Sequence, residues 1–302
     1  MPKVLLTGAN GFVGSHVLNH FVALGWDLVI TLRSGSDCWR IQAELNNVAV
    51  VNLDEISLER IFVTHKIDCV VHLATLYRKH DHLEELESLI ESNLLFPLSL
   101  ITEAQRSGVR AFINTGTFFE YAQSDEKVNE NSERKPINNY AATKLAFSKQ
   151  LEKYKGQMTI IELMLFSPYG PADNEKLVPY IIQSLLNDQS PSLQQSNNQI
   201  DLVYVTDIAR AYEKAVSQAI ERGLGFERIN IASGKSVSVK RVGMLLQKNL
   251  SSSVECEFGE VDRPVRVEAD ISKAKSLLNW VPIIPLEQGL ENTVSHYKEL
   301  QQ

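Results

Sequence analysis

The run Val4-Leu5-Leu6-Thr7 leads into Gly8-Ala9-Asn10-Gly11-Phe12-Val13-Gly14, and that loop continues without interruption into an amphipathic stretch ending near Leu24. Few folds accept a strand that turns through three glycines straight into a helix. The physical needs are specific. Gly8 suits a tight turn, Gly11 lets a pyrophosphate approach the backbone, and Gly14 lets the helix lie close to the strand. Free N–H groups and the positive end of the helix dipole then face the phosphates. The segment is expected to cradle a dinucleotide through Gly8, Asn10, Gly11, Phe12, Val13 and Gly14. Its spacing is G-x-x-G-x-x-G, so a plain glycine-rich turn is the competing reading.

Downstream the same grammar repeats. Leu28-Val29-Ile30, Val48-Ala49-Val50-Val51, Cys69-Val70-Val71-His72-Leu73 and Ala111-Phe112-Ile113 are short apolar runs, with helical patterns over 58–64 and 83–106 between them. Continuously apolar strands alternating with helices predict a parallel sheet covered on both faces, and right-handed crossovers make it doubly wound. After Phe166 the rhythm changes at Pro168, Gly170 and Pro171, a polar loop covers 189–198, and helices are expected over 206–222, 239–250 and 286–301. The predicted class is α/β: a Rossmann-like doubly wound parallel sheet in residues 1–166, then a smaller C-terminal α/β substrate lobe in 167–302, some segments of which return to the first domain.

The 302 residues are 44% hydrophobic and 22% charged, enough apolar material for such a core. Thirty Lys+Arg against 37 Asp+Glu leaves −7, which argues against a nucleic-acid binder, since that needs a basic face. No stretch approaches the ~20 apolar residues of a membrane span, and the run from Val4 to Leu6 is too short for a signal-peptide core. Cys38, Cys69 and Cys256 show no C-x-x-C spacing. Neither a disulfide framework nor a metal site is indicated, and a cytoplasmic protein is expected.

The end of the second strand selects the cofactor. An acid there would hold both ribose hydroxyls of NAD; here Leu28-Val29-Ile30-Thr31-Leu32 ends at Arg33-Ser34. An arginine and a hydroxyl suit a 2′-phosphate, so NADP is expected and NAD is the alternative. A solvated surface arginine is the bland reading of Arg33.

Tyr140 and Lys144 lie one turn apart on one helix face, about two dozen residues after the strand end Thr115-Gly116-Thr117. Tyrosine is a poor acid at neutral pH, and a neighbouring ammonium favours its phenolate. With the Thr117 hydroxyl on the reacting oxygen, the three groups can move a proton at a carbonyl whose carbon takes a hydride from a nicotinamide.

Together with His72-Leu73-Ala74-Thr75, Ile113-Asn114-Thr115-Gly116-Thr117, Pro168-Tyr169-Gly170-Pro171, Asp201-Leu202-Val203-Tyr204-Val205-Thr206-Asp207 and Ala269-Asp270-Ile271-Ser272-Lys273-Ala274-Lys275, these motifs make the chain resemble the extended short-chain dehydrogenase/reductases, or NAD-dependent epimerase/dehydratase family. That family acts mostly on nucleotide-activated sugars. The resemblance implies that Tyr140 is the proton donor, that Lys144 lowers its pKa and holds the nicotinamide ribose, and that Thr117 fills the usual Ser/Thr position. It implies further cofactor contacts at Arg33, Ser34, Leu73, Ala74, Thr75, Asn93, Thr115 and Phe166. Substrate contacts are implied at Thr75, Thr117, Phe118, Phe119, Ser167, Lys176, Leu177, Val178 and Arg263.

Where the family often carries arginine, this chain has Met164 and Ile200, and Ser167 replaces a common asparagine. Arg263 or Arg266 is left to meet a diphosphate; a surface ion pair is the alternative for either. Thr117 is followed by Phe118-Phe119-Glu120 rather than the Asp-Glu of a family dehydratase. In detail the segments are most similar to nucleotide-sugar 4-ketoreductases of the CDP-abequose/CDP-paratose synthase type. That implies NADPH-dependent reduction of a 4-keto deoxysugar nucleotide. An NAD-dependent nucleotide-sugar epimerase and a non-catalytic NAD(P)-binding protein are the alternatives. The resemblance also implies a homodimer through the 83–106 helix, where Leu94, Leu95, Leu98 and Leu100 offer more apolar positions than one buried stripe needs.

Overall fold

A computed structural model describes residues 2–173, 176–223 and 225–301. β1 (Lys3–Thr7), α1 (Phe12–Ala23), β2 (Asp27–Leu32), β3 (Ala49–Asn52), α2 (Leu58–His65) and β4 (Cys69–His72) open the chain. There follow α3 (Leu86–Ile90), α4 (Phe96–Arg106), β5 (Ala111–Thr117), α5 (Asn139–Leu151) and β6 (Thr159–Leu165). The remainder comprises β7 (Pro168–Tyr169), α6 (Leu177–Leu186), β8 (Ser192–Leu193), β9 (Gln199–Ile200), β10 (Val203–Tyr204), α7 (Val205–Arg222) and β11 (Phe226–Ile231). Last come β12 (Val237–Ser238), α8 (Val239–Leu250), β13 (Glu257–Phe258), α9 (Ser272–Leu278) and α10 (Leu286–Glu299).

The large sheet runs β11-β6-β5-β4-β1-β2-β3, with every neighbouring pair parallel. Strand order reverses between β1 and β4, so a crevice opens at their C-terminal ends, where such sheets bind ligands. The central strands read as unbroken apolar runs because helices bury both faces. On one face Val4, Leu6, Val71 and Ile113 meet Val17, Phe21, Ile208 and Tyr212; on the other Leu5, Val70 and Phe112 meet Ile61, Leu100 and Phe147. A separate core of Ile181, Ile182, Leu193, Val242, Leu246 and Leu290 holds the C-terminal lobe.

Two features depart from the sequence expectation. β11 is the seventh strand of the large sheet, although no parallel strand is legible there. Its sequence FERINI carries Glu227 and Arg228, and Arg228 is turned inward to pair with Glu162 of β6 at 2.8 Å, so charge hides a strand that joins the sheet. The expected helix over 83–106 is instead a 3-10 turn (Leu83–Glu85), α3, a π-helical turn (Glu91–Leu95) and α4. The wide turn brings Asn93 inward, where it is 1% exposed.

Candidate active site

The glycine loop is built as tightly as its sequence demands. Gly8 has φ +73°, and a Cβ there would come within 2.5 Å of the Ala74 nitrogen. A Cβ on Gly14 would sit 2.0 Å from the Gly8 carbonyl oxygen, so only glycine lets α1 start beneath the loop. Gly11 is the N-cap of α1 and brings no side chain to its first amides, which stay available to an anion. These features fit a dinucleotide pyrophosphate. Phe12 and Phe166 are buried, and the Phe166 amide donates to the Ile231 carbonyl at 3.0 Å. Val13 packs on the core, and Asn10 donates to the Asp37 carbonyl at 3.0 Å.

Beyond β2, Arg33 and Ser34 are exposed, and the Arg33 guanidinium lies 5.9 Å from the centroid of Phe96. The Ser34 N–H donates to Asp54 Oδ2 at 2.7 Å. The Ser34 backbone and hydroxyl bonds hold the Asp54 carboxyl below the usual range. Sequence reasoning sought an acid at the tip of β2 and missed this one, which the following segment supplies.

After β4, the Leu73 amide donates to the Thr7 carbonyl at 3.1 Å and the Ala74 amide to Thr7 Oγ1 at 3.3 Å. Thr7 Oγ1 also pairs with the buried His72 Nδ1 at 2.8 Å. Asn93 clamps the next residues: its Oδ1 accepts the Thr75 hydroxyl at 2.9 Å and the Leu76 amide at 2.8 Å. Its Nδ2 donates to the Leu76 carbonyl and to Thr143 Oγ1 of α5. Asn93 thus fixes the β4 loop to the helix that carries Tyr140.

α5 begins at an Asn138 cap whose Oδ1 accepts the Ala141 amide at 2.9 Å. Tyr140 in the first turn and Lys144 one turn on are buried, with 8% and 3% exposure. The Thr117 and Thr75 side chains favour the ionised Tyr140 hydroxyl, and Lys144 follows one turn later on the same helix. Burial, then the charge of Glu120, pushes the Tyr140 hydroxyl well up. Burial pushes the Lys144 ammonium down, against Glu120 and Glu162. Tyr77 stands edge-on to Tyr140, with ring centroids 5.0 Å apart.

The other expected residues scatter. Thr115 Oγ1 is engaged by the His72 carbonyl at 2.7 Å and Tyr212 at 2.6 Å. Phe118 packs on Phe119 and stacks on Phe166 at 5.5 Å, so both strand-end rings join an aromatic layer while staying half-buried. Ser167 is half-buried, and its carbonyl accepts the Val203 amide. Lys176 pairs with Asp173 at 3.2 Å and lies 5.1 Å above the Phe12 ring. Leu177 and the 2%-exposed Val178 belong to the lobe core. Arg263 is exposed, whereas Arg266 is paired with Glu268 at 2.7 Å.

A glycine cradle at the switch point, with buried Tyr140, Lys144 and Thr117 in the same half of the chain, has the make-up of a nicotinamide-dependent enzyme. The model of the NAD dependent epimerase/dehydratase family matches residues 4–232, and the chain belongs to that family of epimerases, dehydratases and reductases. Its relatives include CDP-abequose synthase of Salmonella typhimurium, 28% identical with 95% of this chain and 96% of that protein covered. UDP-glucuronate 4-epimerase of Thermodesulfobacterium geofontis is 28% identical, with 99% and 97% covered. Among solved structures, Thermotoga maritima UDP-glucose 4-epimerase with UDP-glucose superposes with TM-score 0.88 at 25% identity, covering 99% of this chain and 100% of that one. Bacillus cereus UDP-glucuronic acid 4-epimerase with UDP-glucuronic acid and NAD reaches TM-score 0.90 at 24% identity, with 99% of each covered. No helix among the described residues is long and apolar enough to cross a membrane.

Proposed function

We propose that the chain is an NADPH-dependent reductase of a 4-keto group on a nucleotide-activated deoxysugar. The observation that carries this reading is the buried Tyr140, whose ionised hydroxyl the Thr117 and Thr75 side chains favour, one helical turn before Lys144. A bound nicotinamide would supply the hydride. Tyr140 gives its proton to the oxygen of the reacting carbonyl, Thr117 holds that oxygen by a hydrogen bond, and the Lys144 charge offsets the phenolate left behind. The dehydratase alternative is disfavoured because Phe118 and Phe119 stand where an acid pair would be needed, and their rings offer an apolar face to a deoxy sugar. With Arg266 engaged by Glu268, Arg263 is the arginine proposed for the diphosphate. Resemblance to CDP-abequose synthase supports the substrate class. The reading is tested by following NADPH consumption with 4-keto sugar nucleotides; no turnover on any of them would sink it.

One observation favours a second reading, an NAD-dependent nucleotide-sugar epimerase. Asp54 places a carboxylate on the Ser34 amide, where it opposes a phosphate and suits ribose hydroxyls. The similarity to UDP-glucuronate 4-epimerase agrees with it.

A further inference from the structure

Residues 76–81, between β4 and α3, form neither helix nor strand, yet their backbone is fastened on both sides of Tyr77. Asn93 accepts the Leu76 amide at 2.8 Å and donates to the Leu76 carbonyl at 3.0 Å. Arg78 Nη1 donates to the Tyr77 carbonyl at 3.0 Å, while its Nε pairs with Glu85 at 2.5 Å. Two further bonds tie the segment to the start of α5. Asn138 Nδ2 donates to the Lys79 carbonyl at 3.3 Å, and Asp81 Oδ1 accepts the Asn139 amide at 2.8 Å. Asn138 and Asn139 immediately precede Tyr140, so the loop that carries Tyr77 and the helix that carries Tyr140 are held to each other. The two rings meet edge to face, at 79° between their planes and with centroids 5.0 Å apart, which is an attractive aromatic geometry. Tyr77 is 37% exposed and Tyr140 8%, so Tyr77 is the outer ring of the pair and Tyr140 the inner one.

We propose that Tyr77 is a positioning residue for the reaction: its ring fixes the Tyr140 ring from the solvent side and forms the outer wall of the site in which the sugar is reduced. This rests on the reading of Tyr140 as proton donor. A phenol hydroxyl sits at the far end of its side chain, so a change of rotamer carries it away from the reacting oxygen. A ring packed against it on the solvent side opposes that swing. The gain is large on the scale of catalysis, because a misplacement of ~1 Å can cost ~10²-fold in rate. Covering Tyr140 also keeps water from competing for its proton and strengthens its bond to the substrate oxygen. Tyr77 meets Tyr140 through its ring, so phenylalanine should serve in its place and alanine should not.

The test follows nitration of individual tyrosines by tetranitromethane in the full chain, read by peptide mass mapping. Tyr77→Phe keeps the ring and cannot itself be nitrated, so it is the reference for Tyr77→Ala. The quantity compared is the rate at Tyr140 relative to that at the fully buried Tyr212 of the same protein. A general loosening of the fold raises both rates and leaves the ratio unchanged. The ratio is expected to be several-fold higher in Tyr77→Ala than in Tyr77→Phe. In the reduction of a 4-keto sugar nucleotide, Tyr77→Ala is expected to lose ~10- to 10²-fold in kcat with the NADPH dissociation constant unchanged, and Tyr77→Phe to restore the rate. An equal ratio in the two variants, or a full kcat in Tyr77→Ala, overturns the proposal. A raised ratio in a chain that reduces no 4-keto sugar nucleotide would overturn the reductase reading and leave Tyr77 as the cover of Tyr140.

Discussion

The Ser34 N–H donates to the Asp54 carboxylate at 2.7 Å, and Asn52 Nδ2 donates to the Ser34 hydroxyl at 3.1 Å. The loop after β2 therefore carries two opposing influences within two residues: the exposed Arg33 cation and a carboxylate borrowed from beyond β3. Both lie at the C-terminal edge of the sheet, where the adenosine half of a dinucleotide belongs.

Arg33 is expected to win. A charge-assisted hydrogen bond to a phosphate contributes ~1.5–3 kcal/mol, roughly ten- to a hundredfold in affinity. The wild type should bind NADPH at least about tenfold tighter than NADH. Arg33→Ala should weaken NADPH and leave NADH nearly unchanged, while Asp54→Asn should widen the preference for NADPH. Fluorescence titration of both cofactors checks this. Equal affinities in the wild type would remove the main ground for a reductase and favour the epimerase.

Tyr140→Phe should cut turnover by ~10²-fold or more, the scale of a lost general acid, with cofactor affinity nearly intact. The ring remains to pack against Tyr77, so the change should be felt in kcat and not in folding. A variant that keeps near-full kcat would show that the proton comes from another group.

Much of this site was legible in the sequence because its determinants are local. Gly14 is required by the Gly8 carbonyl just before it and Gly8 by its own positive φ, and Tyr140 and Lys144 are set one helical turn apart. What was not legible depends on distant residues meeting. Asp54 reaches Ser34 from 20 residues away. Glu120 reads in sequence only as a departure from the dehydratase pattern, and Arg134, Ser148, Glu162 and Arg228 surround it from four other segments. β11 escaped for the same reason: the charges that disguise it are neutralised by distant segments, Arg228 by Glu162 of β6 and Glu227 by Lys273 of α9. The inward turn of Asn93 needs a π-helical bulge, which no periodicity announces.

The proposed dimer is narrower in structure than the leucine count suggested. Leu100 is fully buried within the protomer, and Leu94 and Leu98 pack partly into its core. Leu95 remains 54% exposed and Leu83 88% exposed on the same segment. If two copies meet there, Leu95→Glu should shift the mass seen by light scattering at micromolar concentration from two chains to one. A wild type that scatters as a single chain would reject the dimer outright.

Glu268 gives a prediction about acid stability. It is buried and joins three segments: Lys127 at 2.9 Å, Ser236 Oγ at 2.6 Å and Arg266 at 2.7 Å. Burial alone would raise its carboxyl, but the hydrogen bonds from Lys127, Ser236 and Arg266 outweigh it and hold the group at about 2. A carboxyl whose folded pKa lies below its unfolded value binds fewer protons when folded, so it stabilises above the ordinary glutamate range. That contribution declines as pH falls from about 4.5 towards 2. Glu268→Gln should therefore cost about 1–3 kcal/mol at pH 7, with the difference from wild type shrinking steadily below about pH 4.5. Denaturant unfolding of both proteins at several pH values between neutral and acid reads this directly. A difference as large in acid as at neutral pH would mean that Glu268 acts through packing and not through its charge.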